Sequence, residues 1–106
     1  MDTRQLKDDE RRLVVVHGDS MWPTLRDGQQ VYVVAATQLK VKDVVLAVHP
    51  LRSSIVVIKR ISEVRSDGRL ALFGDNPDPL ASEDSHNFGP VDSSSIVGKI
   101  QLSSEE

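Results

Sequence analysis

The 106-residue chain contains no cysteine. This excludes disulfide staples, a thiolate nucleophile and a cysteine-ligated metal. Aromatic residues are almost as scarce, at 4%, so the core has to be built from Val, Ile and Leu, and the β-branched members of that set favour strands over helices. Positive charge is not in surplus either. A net charge of -3 argues against a general nucleic-acid binder, which ordinarily carries a basic patch. No uninterrupted apolar run approaches the roughly 20 residues of a membrane-spanning helix. The polar, mixed-charge residues 1–12 lack the apolar centre of a signal peptide. His17, His49 and His86 stand apart with no short ligand spacing, so no metal site is expected. These absences lead to the expectation of a soluble, cytoplasmic chain without membrane anchor, cofactor or metal.

What is present reads as one domain. Hydrophobic content of 39% and charged content of 27% are ordinary for a globular protein. Residues 1–12, with Leu6 as the only apolar side chain after Met1, read as a flexible polar arm; residues 13–102 form the core, and residues 103–106 a solvated tail. Within the core, strands are expected at residues 13–16, 30–35, 44–48, 54–64, 69–73 and 96–102. The longest, 54–64, is expected to be the central one. Ser66-Asp67-Gly68 makes a hairpin turn before the fifth strand. Residues 76–95, rich in Pro, Asp, Ser and Gly, read as loop, with one helical turn after Val91. The fold class is therefore mainly β, a single compact domain of curved antiparallel sheets.

Two features invite chemistry. The first is Gly18-Asp19-Ser20-Met21-Trp22-Pro23-Thr24-Leu25, directly after the apolar run Leu13-Val14-Val15-Val16. These are ordinary turn residues, and a serine placed there is either punctuation or a nucleophile. The second is Lys59. With a strand period of two, it shares a face with Ile55, Val57 and Ile61, while Arg60 points the other way with Val56 and Ile58. A lysine among β-branched apolar residues is desolvated, which disfavours its charged form. It is then either a general base or, if that face is exposed, half of a charged guard. A neutral lysine amine can take the proton of a serine hydroxyl, as in Ser-Lys variants of the catalytic triad. A Ser-His-Asp arrangement through His17, His49 or His86 has no recognisable motif around it.

Four blocks in order resemble the Ser/Lys protease superfamily of type I signal peptidases and self-cleaving repressor-type peptidases. They are the stretch from Gly18 to Leu25, Lys59-Arg60-Ile61, Gly74-Asp75-Asn76 with Ser82-Glu83-Asp84-Ser85-His86, and Phe88-Gly89-Pro90-Val91. The resemblance implies that Ser20 is the nucleophile and Lys59 the general base. Ser82 would orient the lysine amine, and Arg60, Asp75 and Asp84 would be bracing charges, with Arg60 paired to one of the aspartates. Met21, Trp22 and Pro23 are expected to line the cleft, although Trp22 is equally suited to plug the core. The backbone N–H of Ser20 would be one oxyanion donor. Gly18 occupies a position where some signal peptidases supply a hydroxyl as the second. Two further positions depart from the pattern: His86 replaces an arginine, and Gly28-Gln29 replaces Gly-Asp.

The minimal core, together with Lys42-Asp43-Val44-Val45-Leu46-Ala47-Val48-His49-Pro50, is similar to the small soluble maturation proteases of nickel-type superoxide dismutase. That resemblance implies a protein partner, the dismutase precursor, bound as an extended peptide and shortened at its N-terminus. Alternatives are a repressor-type self-processing peptidase, for which no Ala-Gly or Cys-Gly bond precedes Ser20, a non-catalytic peptide-binding relative, and a histidine-based metal chaperone.

Overall fold

In β3 (Val44–His49) four consecutive residues, Val44, Val45, Leu46 and Ala47, are buried. A strand can bury successive side chains only if both faces of its sheet are covered, and that condition organises the molecule. The computed structural model describes residues 3–78 and 88–102. Its other strands are β1 (Arg11–Val15), β2 (Gln30–Val34), β4 (Arg52–Val64), β5 (Leu70–Phe73) and β6 (Ile96–Gln101), with one 3-10 turn at Ser93–Ser95. All pairings are antiparallel, in the order β1-β2-β6-β3-β4-β5. The protein is a mainly β domain, with a radius of gyration of 12.6 Å. No helix among the described residues is long and apolar enough to cross a membrane.

The two faces carry separate apolar clusters. One joins Val14, Val16, Val31, Val33, Val44, Leu46, Val97 and Ile100 to Met21 and Leu25 from the turn after β1. The other joins Val45, Ala47, Ile61, Leu70, Leu72, Val91 and Ile96. Alternation along β3 sends Val44 and Leu46 to the first and Val45 and Ala47 to the second. At β1 and β2 only one face is covered, so Val14, Val31 and Val33 are buried while Leu13, Val15 and Tyr32 are exposed.

Several expectations change. The longest strand is not central: β4 lies one place from the edge, and β6, expected to close the sheet, is inserted between β2 and β3. Length reflected a protruding hairpin, since residues 52–55 of β4 are all exposed. The segment expected as a free arm is docked, because the Leu6 N–H donates to Val97 O (3.0 Å) and the Leu6 side chain packs on the first cluster. Gln5 Nε2 adds a bond to Ile96 O (3.0 Å), and β1 begins at Arg11 inside that segment. The single apolar residue of a polar stretch was enough to tie it down.

Candidate active site

The turn that holds Ser20 is fixed before any catalytic partner is considered. Gly18 has φ +83°, a left-handed value that costs an L side chain about 1–2 kcal/mol and glycine almost nothing. Its N–H donates to Asp27 Oδ1 (2.7 Å). Trp22 N–H closes onto Asp19 O (3.1 Å) and Leu25 N–H onto Met21 O (2.9 Å), and the Trp22–Pro23 peptide is cis. Met21 and Leu25 are the anchors, both sunk into the first apolar cluster. Ser20, between the exposed Asp19 and the buried Met21, is held half-exposed at the cluster's rim.

Lys59 reaches the same place from the opposite end of the sheet. It lies on β4, paired across to Val45, and is only 3% exposed. A pocket of about 140 Å³ is lined by Ser20, Met21 and residues 14–17 on one side and by residues 56–59 with Leu46 on the other. β1 is the sheet's first strand and β4 its fifth, so the sheet has to curl for both to border one cavity. β5 pairs back only as far as Arg60, which leaves the outer edge of β4 from residue 56 to 59 without a strand partner among the described residues where the pocket opens. No hydrogen bond joins Ser20 Oγ to Lys59 Nζ. Such contacts commonly tighten only when substrate is bound.

A charged brace ties these pieces together. Arg60 grips Asp75 through two bonds, Nε to Oδ1 (2.8 Å) and Nη2 to Oδ2 (2.7 Å), and Nη1 donates to Lys42 O (2.7 Å). Asp75 also accepts the Thr24 hydroxyl (2.5 Å), so strand β4 and the serine turn share one carboxylate. Next to it, Asn76 donates its backbone N–H to Ser20 O (3.0 Å) and its side-chain amide to Asp19 O (2.9 Å). Partial burial pushes the Asp75 carboxyl up, but the bonds from Arg60 and Thr24 and the Arg60 charge outweigh it and hold the carboxyl below its ordinary value of 3.8.

Of the residues singled out from sequence, Ser20, Lys59 and Met21 meet at the pocket, and Arg60 and Asp75 pair beside it. Ser82, Asp84 and His86 lie outside the described residues. Trp22 and Pro23 do not line the pocket. Trp22 is 46% exposed and plugs no core either, because Met21 takes the inward position of the turn. His49 is buried against Phe88, ring centroids 5.1 Å apart, and its Nδ1 accepts the Leu51 N–H (3.1 Å), which makes it part of the β3–β4 hairpin. His17 is different: it borders the pocket. Its place at the end of the segment leading to Ser20 was the available signal. Thr24 and Lys42 were missed as brace members because their contacts are with residues far away in sequence. Among the described residues no group of His, Asp and Glu is arranged to hold a metal ion.

The Gly18 N–H is committed to Asp27, whereas the Ser20 N–H has no acceptor among the described residues. A curled sheet presenting a serine turn and a buried strand lysine to one pocket has the framework of a Ser/Lys-type peptidase domain. The chain belongs to the Peptidase S24-like family, whose model matches residues 2–101. That membership agrees with the superfamily indicated by the four sequence blocks. No curated protein matches the chain.

Proposed function

We propose that the protein is a serine endopeptidase with a Ser20–Lys59 dyad that removes an N-terminal propeptide from a protein precursor. Nickel superoxide dismutase is the substrate favoured by the motif resemblance, and cytoplasmic processing is part of the same reading. The observation that carries it is the single pocket receiving Ser20 from its anchored turn and Lys59 from β4. Ser20 Oγ attacks the scissile carbonyl while Lys59 Nζ takes its proton and returns it to the leaving amine. Lys59 then activates the water that hydrolyses the acyl-enzyme. The Ser20 N–H stabilises the oxyanion, Ser82 orients the lysine amine, and Arg60 with Asp75 and Asp84 braces the turn. The substrate lies extended in the opening between β1 and the edge of β4 that no described strand pairs, held by main-chain hydrogen bonds as an added strand.

Ser20→Ala and Lys59→Ala are each expected to lower propeptide release from purified dismutase precursor by about 10⁴-fold, measured by mass spectrometry with folding checked by thermal melting. His17→Ala, His49→Ala and His86→Ala should keep a substantial rate. Full activity in Lys59→Ala would remove the lysine from the mechanism. A loss in His17→Ala equal to that in Ser20→Ala would transfer the base to His17. Cleavage confined to the protein's own chain would support self-processing, and failure of a fluorophosphonate to label Ser20 would support a peptide-binding relative.

A further inference from the structure

At the other end of the strands from the serine turn, a second groove of about 280 Å³ opens where β2 and β6 end and β3 begins. Lys40, Lys42, Asp43 and Lys99 stand around it, and Val34, Val44, Ile100 and Leu102 supply aliphatic surface. Three cations face one anion in a chain whose net charge is -3, so the local field opposes that of the molecule and is focused by the groove. Asp43 is already engaged by Lys40 Nζ (3.4 Å), Lys99 Nζ (3.4 Å) and the Lys40 N–H (3.0 Å). Lys42 is exposed and has no anionic partner among the described residues.

Lys42 also has the only left-handed backbone among the described non-glycine residues, φ +81°. Such a conformation costs of order 1–3 kcal/mol and persists only where its surroundings impose it. Here Lys42 N–H donates to Ile61 O (2.9 Å) and Lys42 O accepts Arg60 Nη1 (2.7 Å). The same arginine grips Asp75, which holds Thr24 of the serine turn. The one lysine of the groove without a carboxylate partner among the described residues is therefore bonded through its own backbone to the brace of the candidate active site.

We infer that this groove is an exosite for an acidic, aliphatic-containing segment of the protein substrate, and that its occupancy is transmitted to the serine turn through Lys42, Arg60 and Asp75. The inference rests on the proposed peptidase function for the identity of the partner. Carboxylates of the segment pair with Lys42 and the outer face of Lys40, which is 74% exposed in its side chain. An aliphatic side chain lies on Val44, Ile100 and Leu102. Net negative charge elsewhere on the molecule disfavours an extended polyanion such as nucleic acid and selects a short acidic peptide.

The test uses the full chain carrying Ser20→Ala, so that binding is read without turnover, and the probe acetyl-Glu-Glu-Leu-Glu-amide. Backbone amide resonances of Lys40, Lys42, Lys99 and Gln101 are expected to shift on titration, with Thr24 and Arg60 following. The acetyl-Gln-Gln-Leu-Gln-amide control should leave them in place. Adding Lys42→Glu should weaken binding by about tenfold, and raising the salt should weaken it further. Stationary groove resonances, or unchanged affinity in the Lys42→Glu background, would overturn the exosite. So would equal shifts from inorganic phosphate at the same concentration, displacement of the peptide by vesicles containing anionic lipid, or shifts produced by protein concentration alone, which would make the groove a contact between copies. An active protease without peptide binding sinks only the exosite. Intact binding in a chain that cleaves nothing sinks only the peptidase.

Discussion

Arg60 spends three donors on two acceptors that are distant in sequence, Asp75 and the Lys42 carbonyl. The pair is largely shielded, with side-chain exposures of 21% for Arg60 and 12% for Asp75. Breaking one partner of such a pair costs more than the pair contributes, because the other charge is left poorly solvated. Asp75→Asn should therefore destabilise the fold by about 1–3 kcal/mol. The pH dependence follows from the depressed carboxyl. Its stabilisation is fully present above the ordinary value of 3.8 and is lost as pH falls through the lower folded value. Thermal melts of the wild type should lose stability on acidification below that point, and Asp75→Asn should show a shallower loss. Equal acid slopes in the two proteins would contradict the brace.

At the scale of the element, β6 owes its central position to a residue with no side chain. A Cβ on Gly98 would press into Val34 O and lie 2.6 Å from Val33 Cγ1. Both belong to the neighbouring strand β2, and the Val34 carbonyl, being backbone, cannot swing aside as a side chain can. Gly98→Ala is expected to cost about 1–3 kcal/mol or more through overpacking, read as a lower urea midpoint with an unchanged slope. A neutral substitution would mean that β2 and β6 can separate without loss. β4 shows how far an element can be read ahead of its surroundings. Its residues 54–64 were legible as strand from their β-branched content, and on the face expected to hold Ile55, Val57, Lys59 and Ile61 the last two are buried, Val57 partly so and Ile55 exposed. Its place near the edge was not legible, because strand order depends on which neighbours offer complementary faces.

At the scale of the molecule, two apolar clusters separated by one curled sheet need covers on both sides. Residues 3–10 contribute one of them. Leu6 packs on the first cluster, and the segment is fastened by Arg4 Nη1 to Glu10 Oε1 (3.0 Å) and Lys7 N–H to Glu10 Oε1 (2.7 Å). Those two bonds, the arginine first, lower the Glu10 carboxyl to about 2. Leu6→Ala should remove about 1–2 kcal/mol of stability, less than a fully buried leucine would, and expose residues 3–10 to limited proteolysis. Unchanged proteolytic protection would show that the polar bonds alone hold the segment.

The sequence by itself determined the chemistry available: a serine in a turn shaped by glycine and proline, a lysine among β-branched residues, and a mainly β domain without cysteine. These follow from local preferences and from alternation along a strand, which act within a few residues. Whether Arg60 selects Asp75 was decided by the register of the β4–β5 hairpin, and whether Ser20 and Lys59 share a pocket only by the curl of the sheet. That curl brings the first and fifth strands together across contacts far apart in sequence, and no spacing along the chain encodes it.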